Sequence, residues 1–354
     1  MYRSPLLDLP GAAEARDADA TVDSAGVAWH YGNPLGEQRL VETTTVVVDR
    51  SHRQVIRVDG PDAPGFLNNL LSQKLDDVAD GFSASALDLD IQGRILHHTD
   101  VTRVGDAFYL DLPASQAPTF VDFLRKMVFW SQVEVTETDL GVLTLLGGDV
   151  AVPEEVSAVF VRTVEWPGTA RRDVVVERAR LDVAVDALLA AGAALAGLMA
   201  FTAERVRALE PEKDVDLDHK SIPHEVSAWI GRGDRFGAVH LEKGCYRGQE
   251  TVARVENLGR SPRLLVMLHL DGSAPEAPAP GSALTFNGRT VGRLGTVVHD
   301  CDFGPIALGL VKRSALDSGE LMAGEVAVSV DPSSIPEDEG EKAGRAAIDR
   351  LRGR

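Results

Sequence analysis

Along the first two-thirds of this chain, apolar residues alternate between strand-like and helix-like spacing; after that only the strand-like habit remains. "TTTVVVDR" (43–50) and "RQVIRVDG" (53–60) are rich in β-branched residues, which fit a pleated, half-buried strand. "GPDAPGFLNNLLSQ" (60–73) predicts a helix, with Gly60 as cap, Pro61 at the first helical position and Asp62 in the first turn. Phe66, Leu67, Leu70 and Leu71 then share one face. "SASALDLDIQGRILHHTDVTRVGDAFYLDL" (83–112) predicts strands parted by "QG" and "VGD" turns, and "SQAPTFVDFLRKMVF" (115–129) a second helix. "VEVTETDLGVLTLLG" (133–147) and "RDVVVERA" (172–179) return to strand, while "DVAVDALLAAG" (182–192) and "AFTAERVRALE" (200–210) read as helices. This mixed order predicts an α+β fold class.

From Arg263 onward the segments "LLVMLHL", "SALTFNG", "TVGRLGTVVHD", "IALGLV" and "EVAVSV" are short strands with glycine turns and no helix between them. They predict a small β-barrel or sandwich. "DGSAPEAPAPGS" (271–282) is too proline-rich for a helix and is expected to be a surface loop. The first 25 residues are small and acidic, so they are expected to be disordered, as is the tail from residue 332.

Composition narrows the function. A chain of 354 residues exceeds one compact core, and 44% hydrophobic residues supply material for several. The net charge of −18 argues against a nucleic-acid or anionic-membrane binder, since phosphates are held by clustered Lys and Arg. No segment reaches the roughly 18 to 20 uninterrupted apolar residues of a membrane span. Two cysteines, Cys245 and Cys301, give no disulfide framework, and no signal-peptide pattern is seen, so a reducing, cytoplasmic setting is expected. Nothing resembles a coiled-coil seam, and a monomer is expected.

Chemistry concentrates in "KGCYRGQE" (243–250). Lys243 and Arg247 flank Cys245 at two residues on either side, and in an extended segment both would share its face, where cations favour a thiolate. Gly244 and Gly248 permit close backbone approach, and Tyr246, Gln249 and Glu250 add a ring and hydrogen-bonding groups. The stretch fits a binding loop with an activated thiol; it equally fits a glycine-rich connection with Cys245 as small filler. Neither a zinc nor an iron–sulfur site is expected, because the two cysteines are far apart. His219 and His224 lack a third ligand nearby, and Cys301 in "HDCDFG" sits among acids that disfavour a thiolate.

The octapeptide resembles the signature of the YgfZ-type folate-binding proteins, relatives of the glycine-cleavage T-protein. "HYGNPLGEQR" (30–39), "LDIQGRILHH" (89–98), "HKSIPHE" (219–225) and "AVHLEKGCYRGQETVARVENLG" (238–259) are similar to that family in the same order. The resemblance implies a three-domain ring of two α+β units and a C-terminal β-barrel. Residues 26–56 with 142–235 would form the first α+β domain, interrupted by the second at 57–141. A signature linker at 236–262, the barrel at 263–331 and the tail would follow. It also implies tetrahydrofolate as the bound ligand and no stable metal or iron–sulfur cluster. The implied role is assembly or repair of iron–sulfur enzymes, with assembly proteins or client enzymes as partners. Cys245 would be the functional thiol, and Lys243 and Arg247 would serve the thiol or the folate's glutamate tail. Arg205 stands where the larger family has an arginine near the ligand, or is a solvated helix charge. Trp166 would stack a pterin ring, or is core. The chain departs from the transferase at its Asp-Asp pair, where His97 and His98 stand, and "WPGTARRD" lacks the Glu that meets the pterin. An imidazole does not replace a carboxylate in stabilising positive charge on the folate nitrogen, so aminomethyl transfer is the alternative reading.

Overall fold

The computed structural model describes residues 2–16, 23–232 and 236–336. In chain order, helix α1 (Pro34–Thr43) and strands β1 (Thr45–Asp49) and β2 (Gln54–Asp59) precede α2 (Ala63–Leu70), β3 (Ser83–Leu89), β4 (Ile95–Val104) and β5 (Ala107–Leu112). Then come α3 (Ala117–Met127), β6 (Glu134–Glu137), β7 (Leu140–Gly147), β8 (Phe160–Val164), β9 (Arg171–Glu177), α4 (Leu181–Ala190), β10 (Ala194–Ala196) and α5 (Leu198–Arg207). A one-turn α6 (Lys213–Asp216) and α7 (Gln249–Leu258) lead into β11 (Arg263–Leu270), β12 (Ala283–Phe286), β13 (Arg289–Asp300), β14 (Gly304–Lys312), β15 (Leu321–Ala323) and β16 (Val326–Val330).

These strands make two five-stranded sheets, ordered β10-β1-β7-β9-β8 and β3-β4-β5-β2-β6, and a closed barrel ordered β11-β14-β13-β12-β15-β16. The α+β class and the C-terminal barrel read from the pattern are both present. β1 is buried at all five positions because it lies inside its sheet, parallel to β10 and antiparallel to β7. α4 covers one face of that sheet through Leu181, Val185 and Leu188, set against Val47, Leu143 and Val174. α2 and α3 cover the second sheet, where Phe66, Leu67, Phe120 and Leu124 meet Ile56, Phe108 and Leu110. A further core joins all three units: Val46 and Phe201 of the first, Leu87 and Ile95 of the second, and Leu265 and Leu308 of the barrel. Burying apolar surface at about 25 cal/mol per Å² makes such a shared core the main force holding the units together.

Several expectations need correction. The chain passes between sheets at residues 50–53 and 138–139, so the second unit begins with β2 at Gln54 rather than at 57, and the first resumes at Leu140. Residues 2–16 are ordered, although their average composition suggested otherwise. Tyr2 meets the Ser51 hydroxyl at 2.6 Å, Ser4 donates to Asp49 at 2.5 Å, and Leu6 is 2% exposed. Asp23 is buried as well, and residues 17–22 lie outside the described set. In the tail, Pro332–Ser334 form a short turn and residues beyond 336 are outside the described set. The segment expected to be a linker contains α7. α2 begins at Ala63, with Pro64 in its first turn; Asp62 instead accepts from the Gln132 amide at 2.7 Å. Gly60 has φ +114°, and a Cβ there would lie 2.2 Å from the Gln132 carbonyl, so its glycine serves a close approach rather than a cap.

Candidate functional site

The first unit, the second unit and the segment after α6 enclose a cavity of about 710 Å³, a size suited to a small organic ligand. β3 and β4 give it Ser83, Ser85, His98 and Asp100; β8 and the turn after it give Arg162, Thr163 and Trp166. The end of α5 adds Glu210, and Trp229, Phe236 and Phe82 complete aromatic walls. Trp166 stacks on Phe201 with centroids 5.9 Å apart, and its indole N–H donates to the Thr169 carbonyl at 2.5 Å.

A network of buried charges lies under this cavity and joins the two sheets. Arg162 on β8 meets Asp111 on β5 at 2.5 Å and Asp173 on β9 at 2.7 Å. Arg171 meets Asp173 and Glu210, each at 3.0 Å, while Arg53 meets Asp111 at 2.9 Å. Asp100 accepts from Ser85 at 2.7 Å and lies 3.5 Å from Arg162. Burial alone would raise the Asp100 carboxyl, but Arg162 and Arg171 outweigh it and hold the group well below the usual carboxylate range. The floor is charged yet internally compensated.

His98 is the exception. It packs against Trp229 with ring centroids 4.6 Å apart, and its Nε2 is buried without a hydrogen-bond partner among the described residues. Leaving such a group unpaired costs about 1–3 kcal/mol. Burial pushes its pKa down and outweighs the pull of Asp100 and Glu210, so the ring is neutral near pH 7. Its neighbour His97 points to the other face, as strand alternation requires. There His97 Nδ1 meets Asp88 at 2.8 Å and Nε2 meets the Thr119 hydroxyl at 2.9 Å.

The octapeptide lies elsewhere, and none of its residues lines the cavity. Cys245 is exposed and free. Lys243 is buried; its ammonium donates to the Asn68 carbonyl and, at 2.5 Å, to the Leu71 carbonyl, at the end of α2. That is where helix carbonyls lack partners and attract a cation. Burial lowers the Lys243 pKa to about 8. Arg247 donates to the Leu89 carbonyl and, at 2.5 Å, to Asp88, and stacks 4.6 Å from the Phe123 ring centroid. The expectation that both cations share the thiol's face is therefore overturned. Residues 241–248 are turns and irregular chain rather than a strand, and the cations point inward to main-chain carbonyls and Asp88. Tyr246 lies beneath the Lys243 ammonium, 4.8 Å from it, and burial pushes its hydroxyl up to about 12. Gln249 opens α7 and the neighbouring Glu250 is exposed.

Arg205 is no solvated helix charge either. It is 1% exposed, pairs with Asp216 at 3.0 Å and donates to the Thr296 hydroxyl of β13 at 2.6 Å, clamping α5 to the barrel. It does not line the cavity; of the residues singled out from the sequence as ligand-binding, only Trp166 does. His98, Glu210 and Trp229 line the cavity and were not singled out as binding residues. Asp100 also lines it, and is one of the three carboxylates, with Asp88 and Asp90, that the transferase alternative offers beside the folate nitrogen. The available signal was the period-two pattern of "HHTD", which puts His98 and Asp100 on one face of β4. His224 meets Glu256 at 3.1 Å and is not poised with His219. Among the described residues, Asp300, Cys301 and Asp302 alone bring three ligand atoms within 4.8 Å, but burial and the two acids push the Cys301 thiol up to about 11.

Residues 263–337 match the CAF17 C-terminal beta-barrel domain family. A putative chloroplast transferase of Arabidopsis thaliana is 24% identical over 89% of this chain and 76% of its own length. The tRNA-modifying protein YgfZ of Cronobacter sakazakii is 25% identical over 75% of this chain and 83% of its own. A mitochondrial iron–sulfur cluster assembly factor IBA57 homolog of Mycosarcoma maydis is 28% identical over 64% of this chain and 58% of its own. The aminomethyltransferase T of the Bartonella henselae glycine cleavage system superposes with a TM-score of 0.77 at 20% identity, covering 93% of this chain and 96% of that one. That likeness establishes the fold.

Proposed function

Since this chain is a YgfZ-type, T-protein-like protein, we propose that it binds tetrahydrofolate in the cavity between its sheets and supports the assembly or repair of iron–sulfur enzymes. The observation that carries the reading is the cavity itself, whose lining combines aromatic side chains for a flat ring with polar groups. The names of the YgfZ and IBA57 relatives point to tRNA modification and cluster assembly. A net charge of −18 makes direct capture of a tRNA backbone unfavourable, so an effect on tRNA would run through an iron–sulfur client enzyme.

Cys245 has its place in this reading as a thiol offered outward to a protein partner rather than inward to the folate. Lys243 and Arg247 hold the loop that presents it. We propose a cytoplasmic setting on the ground that Cys245 and Cys301 are both free thiols. The test is calorimetric titration with tetrahydrofolate, followed by complementation of a deletion strain with Cys245→Ala. Saturable micromolar binding and loss of iron–sulfur enzyme activity in the complemented strain are expected. Absence of heat at millimolar ligand would overturn the folate reading, and full complementation would remove the thiol from it.

A second reading, tetrahydrofolate-dependent one-carbon transfer, is favoured by one observation: Asp100 lines the cavity as an ionised carboxylate. Asp88 is committed to Arg247 and His97, and Asp90 to the amides of Gln92 and Arg94. Methylenetetrahydrofolate formed from an amine donor, and lost in Asp100→Asn, would establish it.

A further inference from the structure

We propose that His98 is left unpaired by the protein because its imidazole is the group that reads the ligand's heterocycle. The proposal rests on the folate reading and names the residue that makes it selective. Among the described residues, the His98 Nε2 is the one buried side-chain polar atom lining the cavity that has no hydrogen-bond partner: Asp100 is held by Ser85 and Arg162, Glu210 by Arg171, and the Trp166 indole by the Thr169 carbonyl. His98 packs against Trp229 with the two rings tilted by 44°, while its Nε2 is closed off from solvent and makes no hydrogen bond among the described residues. His97, one position away, has both nitrogens satisfied, so the strand can pair an imidazole when structure alone is served.

The surroundings define what His98 can bind. Of the carboxylates that line the cavity, Asp100 and Glu210 are paired with Arg162 and Arg171 while Glu165 is exposed to solvent, so no surplus positive charge awaits an anionic ligand group. A neutral imidazole carries one N–H donor and one bare acceptor nitrogen. It therefore suits an uncharged, flat heterocycle that carries ring nitrogens and an amide edge, the chemistry of a reduced pterin. The ring turns on its Cβ–Cγ bond as the ligand enters, exchanging an unpaired nitrogen for a paired one. Nothing covalent is required of it.

A residue kept for a ligand at the expense of the empty fold has a two-part signature. In His98→Leu, which removes both nitrogens, tetrahydrofolate affinity should fall about tenfold while the melting temperature of the ligand-free chain stays level or rises. His98→Gln restores a donor and an acceptor and should recover most of the affinity. Titration calorimetry with tetrahydrofolate and ligand-free thermal melts on all three proteins decide the matter. If wild type and His98→Leu bind alike, this inference fails and the folate reading survives. If His98→Leu melts well below wild type, His98 is a structural residue and the inference fails as well. If the wild type binds no tetrahydrofolate, both fall together.

Discussion

The cavity floor and the signature loop use charge in the same way and display opposite things. Under the cavity, Arg53, Arg162 and Arg171 are spent on Asp111, Asp173 and Glu210, tying two sheets together. In the loop, Lys243 and Arg247 are spent on helix-end and strand carbonyls and on Asp88, tying the loop to the second unit. What remains uncommitted is a neutral imidazole in one place and an exposed thiol in the other. The charged residues build, and the groups left over are those available for chemistry. A cluster of Lys, Cys and Arg in sequence is thus weak grounds for expecting the cations to act on the thiol.

The comparison can be broken hardest at the floor. Asp173 has no exposed side-chain surface and sits between two guanidinium groups, so Asp173→Ala leaves both buried and undercompensated. A loss of about 3–5 kcal/mol in urea unfolding is expected; a loss below 1 kcal/mol would mean the network does not hold the sheets together.

The loop should respond to pH. An unfolded lysine keeps its proton to about 10.5, whereas folded Lys243 releases it near 8. Between those values the unfolded chain binds more protons, so this residue makes stability rise with pH across the window. Below pH 8 the buried charge is carried in both states and its cost is fully present. Lys243→Met should lack the rise, a difference on the order of 1–2 kcal/mol between pH 7.5 and 10 once solvent screening is allowed for. Parallel urea titrations of the two proteins measure it, and identical slopes would refute it.

The smallest effect is expected at the thiol. Cys245→Ser should change stability by less than about 0.5 kcal/mol, since the side chain is exposed. Native wild type should show one fast-reacting thiol and the variant none, because Cys301, pushed up to about 11, stays protonated. Two fast thiols in the wild type would contradict this.

Period was legible throughout: the β-branched run at 45–49, the helix face of Phe66 and Leu67, and the glycine-spaced strands after Arg263 all appear where their spacing puts them. Partnership was not. Arg205 looked like a solvated charge because its counterion Asp216 and its hydroxyl partner Thr296 are remote in sequence. Residues 2–16 looked loose because three anchors, Tyr2, Ser4 and Leu6, were averaged with the small and acidic residues that follow them in sequence. The cavity was hidden for the same reason, being assembled from β4, β8 and the end of α5, segments that no local window contains.

One pleat of β4 separates the two places of interest, with His97 locked to Asp88 on one side and His98 facing the hollow on the other. Asp88 in turn anchors Arg247, so the hairpin of β3 and β4 is shared scaffolding. A slip of that strand by a single residue would exchange the two rings and dismantle both places at once. Alignment of this hairpin is accordingly fixed from two directions, and an insertion or deletion between Leu89 and His98 would be far more damaging than one of equal length in the 271–282 loop.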